Sequence, residues 1–318
     1  MKKFIALGIV LLLVGCGQKK NLTENFKAPE NKKLVILTSH RPELSEPVIR
    51  AFEEETGIIC DVRRGGTGEL FKEHRDGKMR GDVLFGGGAG FYAEHMESFL
   101  VYESRNIKDI YPVYIPASRR YTPFNRLPLV LIYNSRLLSE EERPRRFEDF
   151  LDDAFIGKVA FARPETSATS RTILLSLSDM TGLAPKDSSR QFKKIISGYY
   201  ASSSEGVIDD VAFGRRQVGI TLEDLAFSRA KTCDELSVCW PEGGTTAVPD
   251  ALAIFSDSEN VENAEKFVDF VLSKDVQKFV EKSFGRRSVR KDLMRTETPF
   301  IEEKYIDLGK QNEVLATW

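Results

Sequence analysis

The stretch that decides the fold is LVILTSHRPELSEPVIRAFEEETGIICDVRRGGTGELFKEHRDGKMRGDVLFGGGAG, residues 34–90. Three short apolar runs in it are typical of buried parallel strands, at 34–37, 58–62 and 82–85. Helical patterns separate these runs. The order strand, helix, strand, helix, strand predicts an α/β protein with a doubly wound parallel sheet.

The helical patterns carry recognisable ends. We expect the first helix to open at Ser45 and Pro47, because proline suits the first turn of a helix, and to stop at Gly57. The second begins in GELFKEH, residues 68–74.

Each of the three strands is followed by a turn rich in glycine or hydroxyl groups: 38–40, 65–68 and 86–90. In open α/β sheets the ligand crevice lies beyond the carboxyl ends of the strands, so these turns should share one edge. We therefore expect Ser39, Thr67 and Gly87 to bind ligand. Glycines in tight turns need no ligand to explain them, and that alternative stays open.

A second candidate is the hydroxyl-rich run RPETSATSRT, residues 163–172, which separates an apolar strand from a helical pattern. A helix N-cap needs only one of its five hydroxyls. Several hydroxyls beside free backbone N–H groups form an anion site at a helix N-terminus. Ser167, Thr169 and Ser170 are accordingly candidate ligand residues.

Further strands are predicted at 127–134, 217–221 and 247–255, and an amphipathic helix at 147–155. The last of these strands should return the chain to its first half. Two helical patterns follow it, ENAEKFVDFVLS and DVQKFVEKSF.

The N-terminus predicts export. Lys2 and Lys3 precede an apolar run, residues 4–14, that is too short to span a membrane. The run ends in LVGC, which resembles a bacterial lipobox and implies a lipid on the sulfur of Cys16. We thus expect a signal peptide at 1–15 and a polar, lipidated tether at 16–32.

Composition excludes other classes. Without Lys2 and Lys3, 44 basic residues face 48 acidic ones, which does not indicate a nucleic-acid partner. The three histidines are scattered, so zinc chemistry is not indicated. Cys233 and Cys239 lie six residues apart, and the sequence leaves open whether they form a disulfide. Cys60 sits in an apolar run and is expected to be a buried thiol.

Together, several segments resemble the extracellular solute-binding proteins of ABC importers: RAFEEETGI, PFNRLPLVLIYN, GITLEDLA, EGGTTAVPDALAIF and RRSVRKD. The resemblance runs from about Leu34 to Asp292 and points to the group that includes ferric-ion, thiamine, phosphoglycerate, 2-aminoethylphosphonate and hexose-phosphate binders. It implies the type 2 periplasmic-binding-protein fold, in which two α/β lobes are joined by two crossing strands and enclose a ligand cleft.

The resemblance also implies boundaries. Lobe 1 would comprise residues 33–126, lobe 2 residues 127–247, and residues 248–318 would return to lobe 1. Hinges are expected near 125–128 and 245–249.

The resemblance also bears on the class of ligand. The ferric-ion binders of this group hold iron through an adjacent pair of tyrosines, and at the matching position this chain has Glu223 and Asp224. Tyr199 and Tyr200 are adjacent but fall elsewhere, at a helix end. We expect Glu223 and Asp224 to hold the polar far end of an organophosphate. Two arginines, Arg286 and Arg287, are either its charge partners or a solvated basic face.

The sequence therefore predicts a monomeric extracytoplasmic lipoprotein that delivers a small phosphorylated or phosphonate metabolite to an ABC permease, without cofactor or metal. The alternatives are a ferric-ion or thiamine binder, and a sensor that presents its closed form to a membrane receptor. Catalysis is not expected: G-x-S-x-G is missing, and Ser39 and His40 are neighbours that should point to opposite sides.

Overall fold

A computed structural model describes residues 32–293, 303–304, 315–316 and 318. The predicted signal peptide, Cys16 and all of the tether except Lys32 lie outside the described residues. Within them, no helix is long and apolar enough to cross a membrane.

The predicted βαβαβ unit is present. Its elements are β1 (Lys33–Thr38), α1 (Pro42–Thr56), β2 (Ile59–Arg64), α2 (Thr67–Arg75), β3 (Val83–Gly88) and the short α3 (Ala89–Glu94). Strand β1 pairs in parallel with both β2 and β3. The carboxyl ends of these strands therefore lie at one edge of the sheet.

Helix α1 starts earlier than predicted. Pro42 occupies the first turn, and Pro47 lies inside the helix, where it removes only one backbone N–H. Ser45 donates its hydroxyl to the carbonyl of Arg41 and is buried within the helix. The buried stripe that includes Val48 and Phe52 holds the helix together through the second proline.

The remaining elements follow in chain order: β4 (Thr122–Asn134), β5 (Val159–Ala160), α4 (Ala168–Thr181), α5 (Pro185–Ile196), α6 (Ser204–Ala212), β6 (Val218–Leu222), α7 (Glu223–Ala230), β7 (Leu236–Cys239), β8 (Thr245–Ile254), α8 (Val261–Val271), α9 (Lys274–Phe284), β9 (Arg287–Ser288) and β10 (Glu303–Lys304). The predicted helix at 147–155 is wrong. It is two 3-10 turns, because the Asp152 side chain accepts from the N–H of Ala154 and starts a second turn there.

Two long strands link the halves of the molecule. The sheet order is β2-β1-β3-β8-β4-β6-β5, and β4 pairs antiparallel with β8 at its centre. Both segments expected to be hinges lie in these strands, where Arg126 is paired with Pro249 and Pro128 with Ala247.

Buried hydrophobic side chains form two pairs of clusters. One pair contains residues 34–124 and 251–289, and we call this part lobe 1. The other contains residues 127–248, and we call it lobe 2. Two described parts of the chain after residue 293 contact segments assigned to lobe 2. Trp318 packs on Phe161 and Phe192 of lobe 2, and β10 pairs with β8 at Thr245 and Thr246.

The three described cysteines are free thiols, so Cys233 and Cys239 are not bridged. The Cys233 thiol points to the Glu235 carboxylate, and that of Cys239 to the Leu131 carbonyl. Cys60 is only partly buried, although burial raises the pKa of its thiol to about 12.

Candidate functional site

The three predicted ligand residues of lobe 1 come together. The Thr67 hydroxyl donates to Ser39 Oγ over 2.9 Å. A Cβ placed on Gly87 would lie 2.5 Å from Thr67 Oγ1, and Gly87 has a φ of +96°. Only glycine fits this turn without strain. The parallel strands thus bring the hydroxyls of Ser39 and Thr67 next to the glycine backbone at Gly87, at one edge of the sheet.

In lobe 2, the hydroxyl run opens α4 as predicted. Ser167 caps the helix by accepting from the N–H of Ser170, over 3.1 Å. Its hydroxyl also bonds Ser204 Oγ, the first residue of α6, over 2.8 Å. The starts of α4 and α6 therefore lie side by side, and their positive dipole ends converge. The structure confirms the cap, and the anion site stays a prediction.

The hydroxyl-bearing residues at the start of α4 differ in how far they are buried. Ser167 and Ser170 are buried, and Thr169 is half-buried in the first turn of α4. Ser204 was not among the predicted site residues. Its place in the run of three serines at 202–204 was the available signal.

We call Ser39 and Thr67 the hydroxyl cluster of lobe 1, and Ser167 and Ser204 the hydroxyl cluster of lobe 2. The two clusters face each other between the lobes. A Cβ on Gly88 would lie 3.9 Å from the Cβ of Ala168, which begins α4. Arg41 of lobe 1 pairs with Glu205 of α6, and Arg171 of α4 lies 3.9 Å from Glu94 of lobe 1. Sequence reasoning missed both pairs, since they join residues far apart in the chain.

Glu223 does not stand free for a ligand. Both of its carboxylate oxygens bond the Arg287 guanidinium, at 2.7 and 2.8 Å, and Trp240 Nε1 donates to Oε1. The side chain is buried. The Glu223 carboxylate is therefore engaged by protein groups, although Glu223 also lines the cavity described below.

Asp224 is only half satisfied. Its Oδ2 accepts from Arg286 Nε over 3.1 Å, whereas its buried Oδ1 has no hydrogen-bond partner among the described residues. Arg286 also donates to Asp250 Oδ2 over 2.8 Å. Neither Arg286 nor Arg287 forms a solvated basic face, and both bind protein carboxylates.

Asp250 lies on β8 amid buried groups. Burial raises the pKa of its carboxyl to about 6, although Arg286 acts in the opposite direction. His40 Nε2 lies 3.6 Å from Asp250 Oδ2. Burial, helped by the Arg286 charge, lowers the pKa of His40 well below its usual value, so the imidazole is neutral at pH 7.

The side chains of Ser39 and His40 do not point to opposite sides, as the sequence predicted, but approach a common position beside Gly86. A Cβ on Gly86 would lie 2.9 Å from Ser39 Oγ and 3.0 Å from His40 Nε2. The His40 Nε2 atom has no hydrogen-bond partner among the described residues, so it is not bonded to the Ser39 hydroxyl.

Both tyrosines of the pair contact neighbouring side chains. The Tyr199 hydroxyl donates to Asp210 over 2.6 Å, and its ring lies under the Arg216 guanidinium. Tyr200 packs against Arg163 and Trp318. Among the described residues no cluster of three or more His, Cys, Asp or Glu side chains could hold a metal ion.

A cavity of about 570 Å³ lies between α7, the start of α1 and the segment after α9. Asp224, Trp240 and Phe227 line it from lobe 2, and Arg41 and Arg286 line it from lobe 1.

A family model described as bacterial extracellular solute-binding protein matches residues 85–304. A Salmonella typhi protein named putative 2-aminoethylphosphonate-binding periplasmic protein is 25% identical over 256 residues, covering 76% of this chain and 73% of the relative.

Solved structures share the fold. One titled as a two-component system protein that mediates signal transduction has a TM-score of 0.78 and 24% identity, covering 89% of this chain and 98% of that one. The fructose-6-phosphate complex of AfuA from Actinobacillus pleuropneumoniae has a TM-score of 0.76 and 22% identity, covering 90% and 97%. Ferric-binding proteins are among the other structures with this fold.

Proposed function

Because the chain belongs to the bacterial extracellular solute-binding protein family and has its two-lobed type 2 fold, we propose that its ligand is a small organophosphonate or organophosphate. The anionic group would bind between the hydroxyl clusters of the two lobes. Members of this family bind solutes for ABC importers, and we propose the same delivery to a permease here.

The observation that carries the proposal is the approach of two groups of hydroxyls, Ser39 with Thr67 and Ser167 with Ser204, where Gly87 and Gly88 of β3 lie beside Thr67 and the start of α4. Hydroxyl donors and first-turn N–H groups at helix N-termini suit a tetrahedral oxyanion. The name of the Salmonella relative supports the same ligand class.

Isothermal titration calorimetry tests the ligand class. We expect heat from 2-aminoethylphosphonate or a hexose phosphate, and none from glucose. Heat from ferric citrate or thiamine, with none from any phosphonate or phosphate ester, would refute the proposal. Thr67→Val removes one donor from the site, whereas Thr232→Val, on an exposed turn, is a matched control that should leave binding unchanged.

The alternative role is that of a sensor, which would have the same fold and bind the same ligand but would not deliver it to a permease. Uptake of the ligand by cells therefore separates the two roles. Import that stops when the gene for this protein is deleted supports delivery, and unchanged import with an altered transcriptional response supports sensing.

We also propose that Cys16 carries a lipid and holds the protein on the outer side of a membrane as a monomer. Cys16→Ala should then release the protein from washed membranes, because the variant lacks the sulfur that would carry the lipid and no helix of the described residues could span a membrane. Retention of the variant on membranes after a salt wash would contradict the lipid anchor.

A further inference from the structure

A cluster of buried polar side chains lies at the crossing strands, and several of its polar atoms have no hydrogen-bond partner among the described residues. Asn125 on β4 is 1% exposed, and neither Oδ1 nor Nδ2 has a hydrogen-bond partner among the described residues. Nearby, the same is true of His40 Nε2 and Asp224 Oδ1. Each such group costs about 1–3 kcal/mol, so a cluster of them needs a reason.

These atoms surround one carboxylate, that of Asp250. Asn125 is its direct cross-strand partner, so the two side chains lie on the same face of the sheet. His40 Nε2 is 3.6 Å from Asp250, and Arg286 joins Asp250 to Asp224.

The face of the sheet that carries the cluster is the face toward lobe 2. Val248 and Asp250, two residues apart on β8, share a face. A Cβ on Gly88 would lie 3.5 Å from Val248 Cγ1 and 3.9 Å from Ala168 in the first turn of α4. Asp250 therefore faces the same space as the hydroxyl cluster of lobe 2.

The cluster is also next to the hydroxyls of lobe 1. Ser39 Oγ and His40 Nε2 both come within 3.0 Å of a single point, the Cβ position of Gly86. A ligand of only a few bonds can thus reach from Ser39 to the cluster.

The free atoms are mostly acceptors. Asp224 Oδ1 and Asn125 Oδ1 accept only, whereas His40 Nε2 accepts or donates according to the tautomer of the neutral imidazole. Asn125 Nδ2 is a donor without a partner among the described residues. The chemistry calls for a group that donates hydrogen bonds.

From these contacts we infer that Asn125, His40 and Asp250 form a second recognition site, which binds a hydroxyl or ammonium group at the end of the ligand opposite its anionic group. This inference rests on the proposed function. It shifts recognition of the far end from Glu223, which is already paired, to the crossing strands.

A ligand pair provides the test. Ethylphosphonate lacks the donor that 2-aminoethylphosphonate and 2-hydroxyethylphosphonate carry. We expect the protein to bind at least one of the donor-bearing compounds about 10- to 150-fold more tightly than ethylphosphonate. The arm with the larger preference identifies ammonium or hydroxyl as the donor.

Asn125→Ala should abolish this preference, so that the donor-bearing compounds bind no more tightly than ethylphosphonate. Because the Asn125 side chain has no hydrogen bond to lose, the variant should unfold at the same temperature as the wild type or higher. Asn134→Ala is the matched control on the same strand. Asn134 donates to the carbonyls of Val211 and Ala212, so its removal should lower the melting temperature and keep the preference.

Equal affinity for the compounds with and without a donor would overturn the inference and leave the proposed function standing. A preference that survives Asn125→Ala would also overturn it. Failure of the folded wild type to bind any of the three phosphonates would instead count against the proposed function.

Discussion

Glu223, the first residue of α7, and Arg287 in β9 form a bidentate ion pair that joins lobe 2 to lobe 1, with N–O distances of 2.7 and 2.8 Å. Both side chains are buried. Removing one partner leaves the other charge buried and unpaired, which costs far more than the pair itself contributes.

We therefore predict that Glu223→Ala lowers the free energy of unfolding by about 3–5 kcal/mol. A residue exposed in an open cleft would instead give a variant of nearly wild-type stability. Urea denaturation measures the change. Glu54→Ala, at an exposed position of α1, is the control and should cost less than about 0.5 kcal/mol. A cost as small as that of the control would contradict a structural role for Glu223.

Asp250 should make stability depend on pH. Its pKa of about 6 in the folded protein exceeds the value of about 3.9 in an unfolded chain. Between these values the folded state binds a proton that the unfolded state does not. The contribution of Asp250 to stability is therefore present below pH 4 and is lost as pH rises through 6.

The measurement is the free energy of unfolding of the wild type minus that of Asp250→Asn, from pH 4 to 6.5. We expect this difference to decrease by up to about 3 kcal/mol across the window. His40, whose pKa is lowered, acts with the opposite sign but is present in both proteins. A difference that does not vary with pH would refute the prediction.

Gly87→Ala should damage the ligand site through Thr67. The new Cβ would lie 2.5 Å from Thr67 Oγ1 and displace that hydroxyl. Gly77→Ala is the matched control, because Gly77 also has a positive φ, of +71°, but open space around it. Both variants carry backbone strain of about 1–2 kcal/mol. Only Gly87→Ala should weaken 2-aminoethylphosphonate binding, by at least about tenfold, and equal affinities in calorimetry would contradict this.

Ligand binding should bring the lobes together about the paired segments of β4 and β8. Small-angle scattering should then show a smaller radius of gyration with saturating 2-aminoethylphosphonate than without it, and no change with glucose. The exposed pair of Arg41 and Glu205 joins the lobes in this structure and should separate when they open. Identical scattering curves with and without bound phosphonate would rule out lobe closure.

Local sequence patterns predicted much of the fold because they depend on neighbours in the chain. The alternation of apolar runs and helical stripes was sufficient for the βαβαβ unit, and Ser167 caps α4 as its hydroxyl and position indicated. Local signals failed where two of them competed. Pro42 and Pro47 both suit a helix start, and Asp152 interrupts an otherwise helical stripe at 147–155.

For the candidate site, the sequence by itself determined which residues stand at strand ends and helix starts: Ser39, Thr67, Gly87, Ser167, Thr169 and Ser170. The positions of Glu223 and Asp224 after β6 were also evident. Their partners were not. Arg287 is 64 residues from Glu223, and Asp250 faces Asn125 only because β4 and β8 cross in one register. Spacing along a chain fixes which groups share an edge or a helix face. Packing between segments that are distant in the sequence decides which charged groups form ion pairs. It also decides which polar groups are buried without a partner, and a local sequence pattern carries no information about such packing.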